Sequence, residues 1–295
     1  MPPPAARDGA AGPVRDEEFG FSPREFERIR RLIHQRAGIS LGSSKQHMVF
    51  SRLVRRLRHT GLPSFRGYVD RLEHDPADPE WQGFVNALTT NLTAFFREPH
   101  HFERLAELLR RFRSRPRIDI WCNAASTGEE PYSLAMTAVE VFDSWTPPVR
   151  ILATDIDTEV LRRAEAGVYP LDRLDGLDTA RRRRFLQRGT GPREGLARVR
   201  EPLRQLVSFR PLNLLDPHWP VRGPFEAVFC RNLMIYFDKP TQYRLLARLA
   251  PMIAAEGLLF AGHSESFGHA AEHVRSLGGT VYAPVSGAAA GDRAA

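Results

Sequence analysis

Cysteine and lysine are scarce in this 295-residue chain: there are 2 cysteines, and only Lys45 and Lys239 are lysines among 42 basic residues. Two cysteines, Cys122 and Cys230, cannot by themselves form a disulfide framework or a four-ligand zinc site. Each ends an apolar run that reads as a strand, so both are expected to be reduced packing residues. The shortage of lysine beside abundant Arg and Ala reads as a bias of nucleotide composition, which leaves the position of charge as the usable signal. Long apolar runs are also missing. The longest, such as 257–262, fall far short of the roughly 18 residues a membrane helix needs, and the opening Met-Pro-Pro-Pro has no basic region followed by an apolar core. A cytoplasmic protein without membrane insertion is expected. With 42% hydrophobic and 26% charged residues, collagen-like, coiled-coil and wholly disordered classes are excluded.

Two nucleotide signatures are absent as well. There is no G-x-G-x-x-G, which removes support for a nicotinamide cofactor, and no G-x-x-x-x-G-K-[ST] of a P-loop. The run Gly262-His-Ser-Glu-Ser266 superficially resembles a nucleophile elbow, but Ser266 stands where the second glycine is required, and no acid and base follow in the expected order.

Acidic residues are missing from 28–69, where Arg28, Arg30, Arg31, Arg36, Lys45, Arg52, Arg55, Arg56, Arg58 and Arg66 exceed the whole-chain net charge of +7. Ser22-Pro23, just before that block, opens a helix that Gly38 stops, and a second helix over 44–59 sets Val49, Phe50, Leu53, Val54 and Leu57 on one face. Lys45, Arg52, Arg55, Arg56 and His59 lie on the other. Helical pattern continues over 65–72 and 80–88. From about 117 onward short apolar runs alternate with helices: strands at 117–122, 149–154, 225–230, 257–261 and 280–284, helices at 130–142, 158–166 and 241–253. This alternation predicts a mainly parallel, doubly wound sheet. The expected organisation is a disordered lead-in over 1–18, a helical N-terminal domain over 19–92, a linker and helix over 93–116, an α/β domain over 117–286, and a disordered tail over 287–295. A small antiparallel insert is expected over about 170–212, where Gly189, Gly191 and Gly195 flank alternating residues and 196–200 reads as a strand with an exposed edge.

Ligands of an open parallel sheet sit beyond the carboxyl ends of its strands. The loops there are 123–130, with small residues at 124–128, then 155–157, 213–214 and 231–236. Asp155 ends the second strand, where a carboxylate can accept both ribose hydroxyls of a nucleoside; equally, Asp155 or Asp157 can cap the helix that starts near Thr158.

Five segments become specific when read together: Thr89-Thr-Asn-Leu-Thr-Ala-Phe-Phe-Arg-Glu98, Ala124-Ala-Ser-Thr-Gly-Glu-Glu-Pro-Tyr132, Thr154-Asp-Ile-Asp157, Phe229-Cys-Arg-Asn232 through Ile235-Tyr-Phe-Asp238, and Gly257-Leu-Leu-Phe-Ala-Gly-His-Ser-Glu265. In this order and spacing they resemble the bacterial chemotaxis receptor glutamate methyltransferases, the CheR family, across residues 20–285. The resemblance implies a helical N-terminal domain joined to an S-adenosylmethionine-dependent methyltransferase domain with a small β insert. It also implies methylation of glutamate side chains on methyl-accepting chemotaxis receptors, for sensory adaptation, with S-adenosylhomocysteine as co-product and no metal. By the same resemblance Asn91, Thr93, Arg97, Glu130, Asp155, Asn213, Leu214, Arg231 and Asn232 would contact the cofactor, and Arg97 and Tyr236 would flank the methyl group as catalytic residues.

Lys45, Arg52, Arg55, Arg56 and His59 would dock the acidic signalling domain of the receptor, and the insert with Gly189, Gly191 and Gly195 would hold a receptor C-terminal tail. A monomer without a nucleic-acid partner is expected. Two other classes stay open: a nucleic-acid methyltransferase, although Asn232-Leu-Met-Ile-Tyr236 lacks the prolines of the Asn-Pro-Pro-Tyr motif of base-directed enzymes, and a cofactor-binding adaptor without turnover.

Overall fold

A computed structural model describes residues 19–285, so the lead-in over 1–18 and the tail over 287–295 lie outside the described residues. The chain divides into two compact units, the first made of the described residues up to Ile33 together with Leu41–Leu88, the second of His34–Ser40 and Thr89 onward. Among the described residues no helix is long and apolar enough to cross a membrane.

The first unit is helical: α1 (Pro23–Ala37), α2 (Gln46–Thr60), α3 (Phe65–His74) and α4 (Glu80–Leu88). The Ser22 hydroxyl pairs with Glu25 in the first turn of α1, and Gly38, at φ 70°, ends it by donating its N–H to the His34 carbonyl at 2.8 Å. Helical spacing in the sequence becomes one buried core of Ile29, Ile33, Val49, Leu53, Leu57, Phe65, Tyr68, Leu72 and Phe84. Acids C-terminal to the acid-free stretch answer it: Arg28 lies 2.6 Å from both Asp70 and Glu73.

One ion pair in this unit is largely withdrawn from water. Glu80, only 6% exposed, accepts from Arg56 Nε and Nη2 at 2.8 and 2.6 Å and from the Tyr68 hydroxyl at 2.7 Å. Burial, then this carboxylate, push the Tyr68 hydroxyl well above its usual range. Arg52 donates to the Leu88 carbonyl at 3.3 Å. The basic face of α2 is thus narrower than periodicity predicts: Arg56 and Arg52 are engaged inside the unit, whereas Lys45, in the 3-10 turn before α2, and Arg55 and His59 are exposed. Periodicity assigns a face, but the partner Glu80 lies 24 residues away on another helix. Arg56→Ala should therefore lower the stability of the helical unit by about 1–3 kcal/mol, because it leaves a buried carboxylate with Tyr68 as its remaining side-chain partner. Urea unfolding with an unchanged midpoint would reassign Arg56 to the surface.

The second unit runs α5 (His100–Arg111), β1 (Ile118–Cys122), α6 (Glu129–Phe142), β2 (Val149–Asp155), α7 (Thr158–Ala166), β3 (Val168–Pro170), α8 (Thr179–Phe185), β4 (Leu186–Arg188), β5 (Leu196–Val199), α9 (Glu201–Arg204), β6 (Val207–Pro211), β7 (Phe225–Cys230), α10 (Lys239–Leu249), β8 (Ile253–Ala261), β9 (Val274–Ser276) and β10 (Val281–Pro284). The main sheet has the order β6-β2-β1-β7-β8-β10-β9. Its first five strands are parallel, with Ile120 opposite Ile151 on one side and Ala227 on the other; β10 is reversed, pairing antiparallel with both β8 and β9.

Two-residue alternation sorts the side chains into two cores. Ile118, Ile120, Cys122, Ala227, Phe229 and Phe260 pack with α5 and α6. Trp121, Val228, Cys230, Leu259 and Ala261 pack with α10 on the other face. Both cysteines are free and buried, and burial pushes both thiols up. The connection leaves β1 toward β2 on one side and β7 lies on the other, so the strand order reverses at β1 and β7, the point at which an open α/β sheet forms its ligand crevice beyond the carboxyl ends.

The insert departs from expectation in two respects. β6 belongs to the main sheet, pairing in parallel with β2, so the antiparallel sheet is β3-β5-β4 and ends at Val199. β5 is its central strand, bonded on both sides, and the sheet's edges are β3 and β4 rather than 196–200. Both flanking strands are three residues long, too short to show alternation.

Candidate active site

The loop after β1 is built by backbone bonds to its neighbours. Asn123 N–H donates to the Phe229 carbonyl of β7 at 3.0 Å, and Ala125 N–H to Thr154 of β2 at 2.9 Å. Ser126 has φ 48° and Gly128 φ 97°; a Cβ on Gly128 would stand 2.8 Å from Ala164 and from the Tyr169 hydroxyl, which is why only glycine fits in the N-cap position just before α6. Asp155 closes this loop. Its Oδ2 accepts the Ser126 N–H at 2.8 Å and its Oδ1 the Asp157 N–H at 2.9 Å. Burial, opposed by these bonds and reinforced by the neighbouring Asp157 charge, pushes its carboxyl up to about 6.

Asp157, not Asp155, is the helix cap. It accepts from Glu159 and Val160 N–H and also from the Thr89 hydroxyl at 2.7 Å and the Asn91 amide at 2.8 Å. Asn91 and Asp155 are thereby joined through Asp157, and Ser126 Oγ donates to the Asn91 carbonyl at 3.3 Å. Asn123 is 3% exposed; its amide stands against the buried Cys230 thiol, and neither of its polar atoms completes a full hydrogen bond within the protein. A buried amide at the mouth of β1, and at the mouth of β2 a carboxylate with acceptor capacity left, suit a polar nucleoside ligand.

The segment over 92–98 folds back on itself. Arg97 Nη1 donates to the Leu92 carbonyl at 2.9 Å, Phe96 N–H donates to Ser133 Oγ at 3.0 Å, and Phe96 and Glu98 both adopt left-handed backbone, φ 51° and 60°. Arg231, whose side chain is 1% exposed, pairs with Glu130, stands 3.4 Å from Glu98 and donates to the Arg97 carbonyl. Glu98 also accepts from His263, N–H at 3.3 Å and Nδ1 at 3.1 Å. Burial would raise the Glu98 carboxyl, but Arg231 and His263 outweigh it and hold it below the usual range. Burial and Arg231 push His101 down to about 4, so it is neutral at pH 7. Thr93 contributes its carbonyl, 3.4 Å from Arg173.

A single buried carboxylate shapes the loop after β7. Glu265, 5% exposed, accepts N–H groups from Asn232 at 2.8 Å, Leu233 at 2.9 Å, Met234 at 2.7 Å and its own turn at Gly262. Asn232 has φ 56°, and a Cβ on Gly262 would stand 2.3 Å from the Asn232 amide nitrogen. Tyr236, half-buried, ends this loop, its carbonyl accepting from Ser40 N–H at 2.8 Å. Asn213 donates to the Arg36 carbonyl at 2.9 Å, and Leu214 is a core residue whose carbonyl accepts from Trp219 and Arg248.

Residues 24–89 match the family model of the CheR methyltransferase all-alpha domain, and residues 91–283 that of the CheR methyltransferase SAM-binding domain. The chain belongs to the CheR methyltransferase family. It is 55% identical to chemotaxis protein methyltransferase 2 of Pseudomonas aeruginosa, over 91% of this chain and 96% of that one. It is 51% identical to the chemotaxis protein methyltransferases of Klebsiella aerogenes, over 94% and 96% of the two chains, and of Escherichia coli, over 90% and 93%.

In this CheR chain the motif residues fall into three networks: Asn91 and Asp155 around Asp157, Arg97 and Glu130 around Arg231, and Asn232 on Glu265. Asn213 and Leu214 belong to none of them: the one anchors the Arg36 main chain, the other packs in the core. Residues without a role in the sequence motifs also hold the loops: Asn123, Glu98, Glu129 and Glu265; Asp157, which the sequence offers only as an alternative helix cap, is that cap and the partner of Thr89 and Asn91 as well. A polar residue directly after an apolar strand was the available signal for Asn123. Glu98, His100 and His101 bring three donor atoms within 4.8 Å of one another, but Arg231, 3.4 Å from Glu98, opposes a cation there. Glu265→Gln replaces an acceptor facing N–H groups by a donor, so amide exchange at 232–234 should accelerate at least about tenfold in the folded variant. Exchange equal to wild type would show that other contacts hold the loop.

Proposed function

We propose that this protein transfers a methyl group from S-adenosylmethionine to glutamate side chains of methyl-accepting chemoreceptors, leaving glutamyl methyl esters. The observation that carries the reading is identity above half, over nine-tenths of both chains, with a chemotaxis protein methyltransferase. The crevice beyond β1 and β7 fits the cofactor in its chemistry: a buried Asn123 amide with no full hydrogen bond inside the protein, an Asp155 carboxylate with acceptor capacity, and a backbone of small residues at 124–128. When bound, S-adenosylmethionine supplies a methyl carbon on a sulfonium, open to in-line displacement.

The residues then have little acid–base work. A glutamate with a pKa of about 4.3 is already ionised at neutral pH, so no strong general base is required. The task is to align the carboxylate and to exclude water, an effect worth up to roughly 7–11 kcal/mol. We assign Arg97 to orient the substrate carboxylate through charge-assisted hydrogen bonds and to touch the cofactor, and Tyr236 to offer its hydroxyl from the loop after β7. Asp155 would accept the ribose hydroxyls; Asn91, Thr93, Glu130, Arg231 and Asn232 would frame the remainder of the ligand, several of them through the loops they hold.

The acidic receptor would be drawn by the exposed Lys45, Arg55 and His59. A receptor tail would extend the insert's sheet at β3 or β4, with Gly189, Gly191 and Gly195 shaping the neighbouring turn.

Labelled cofactor incubated with the protein and receptor-bearing membranes should put label on receptor that mild base releases, as an ester does. Base-stable label, or label on nucleic acid, would overturn the assignment. Asp155 gives a second check. Hydroxyls donating to both its oxygens favour the charged form, so binding lowers a carboxyl that titrates at about 6 in the free protein. S-adenosylhomocysteine affinity should therefore be full above that pH and fall about tenfold between pH 7 and pH 5, with Asp155→Asn flat over the window. A flat wild-type profile removes Asp155 from the ribose site.

A further inference from the structure

The glycine-rich tip of the insert lies outside the cofactor motifs, but the first stretch of the same insert touches them. Tyr169 of β3 is buried, its hydroxyl donates to the Thr127 carbonyl at 2.7 Å, and its ring stands edge-on to Phe95 at 5.1 Å. Four residues on, in the 3-10 turn Leu171–Leu174, Arg173 Nη2 lies 2.9 Å from Glu129 Oε1 and 3.4 Å from the Thr93 carbonyl. At Gly176 the insert and the 91–98 segment come so close that a Cβ would stand 2.1 Å from the Phe95 carbonyl oxygen.

Glu129 explains why an arginine belongs there. It is the first residue of α6 and 1% exposed, and the Thr127 hydroxyl donates to its other oxygen at 2.6 Å. The helix N-terminus favours a negative charge at this position, but a carboxylate so far from water still needs a partner of opposite sign. Arg173 is that partner, and its second contact reaches the carbonyl of Thr93. One side chain thus spans the loop whose Ser126 N–H closes on Asp155 and the segment that carries Arg97.

We propose that Arg173 is a positioning residue for the cofactor, acting through Glu129 to hold the 123–129 loop and the 91–98 segment in register. The insert then has a structural role at the cofactor crevice besides any role in receptor capture. The proposal rests on reading that crevice as the S-adenosylmethionine site.

The test measures S-adenosylhomocysteine binding by calorimetry and initial rates against receptor for the full chain, Arg173→Ala, Arg173→Lys, Arg173→Ala with Glu129→Gln, and the exposed insert variant Arg188→Ala. Arg173→Ala should weaken binding about tenfold and raise KM for S-adenosylmethionine to match, with kcat at saturation changed less than about twofold. Arg173→Lys should return affinity to within about threefold of wild type. Neutralising Glu129 should recover part of the loss, because the unpaired carboxylate is what displaces the loop. Arg188→Ala should bind as wild type does. Equal affinity in wild type and Arg173→Ala would overturn the proposal, and no recovery with Glu129→Gln would overturn the route through Glu129. Wild-type protein that binds no S-adenosylhomocysteine would instead sink the cofactor-site reading itself.

Discussion

Arg231 is the charge that the site's architecture depends on. It leaves the end of β7 into a region where its side chain is 1% exposed, and there it meets Glu130 from the first turn of α6, Glu98, and the Arg97 carbonyl. Placing a guanidinium so deep costs several kcal/mol of hydration, and two carboxylates with a carbonyl roughly offset that. Its value is therefore geometric rather than a gain in stability: three segments remote in sequence can satisfy their charges in one arrangement. His101 beside it is kept neutral by the same burial and the same cation, so the cluster does not gather a second positive charge near pH 7.

A division of labour between similar acids follows. Asp155 and Asp157 are two residues apart, yet Asp157 is enclosed by a helix cap and by Thr89 and Asn91, while Asp155 faces only backbone N–H groups, those of Ser126, Asp157 and Ile156. The result is one carboxylate whose hydrogen bonds tie chain to chain and one, raised by burial, with capacity for a donor from outside the protein. A reaction that needs alignment more than proton transfer can use carboxylates in this way, as fixed acceptors that set where loops lie.

That use governs what could be read from the sequence. Elements whose apolar pattern faces a core are legible: α4, α7 and β7 have the bounds that periodicity predicts, because each buries a regular stripe or both faces. β6 is not, since its alternation ends in exposed Arg210 and Pro211 at the rim of the sheet, and the three-residue strands of the insert carry no period at all. In the site, residues inside contiguous motifs are legible and their partners are not. Arg173 lies 44 residues from Glu129, and Arg56 lies 24 from Glu80. Glu265 acts on backbone N–H groups, which have no side-chain signature to match.

The pattern of strain shows why so much of the site consists of residues that hold others. Among the described residues six non-glycines have positive φ, and four of them, Phe96, Glu98, Ser126 and Asn232, lie in the loops around the crevice. Left-handed backbone at such residues costs on the order of 1–3 kcal/mol each and persists where the surroundings over-determine it. Each of the four has such a restraint: Phe96 N–H on Ser133, the Glu98 carboxylate between Arg231 and His263, Ser126 N–H on Asp155, Asn232 N–H on Glu265. Asparagine at 232 tolerates this backbone best of the four side chains, and Gly262 is bare where the Asn232 amide presses closest. Three of the four restraints engage a carboxylate that is buried or nearly so, and an ionised carboxylate makes stronger bonds to N–H groups than a neutral acceptor does. The acids that crowd the motifs of a methyltransferase with no need of a strong base are thus accounted for by the backbone they bend.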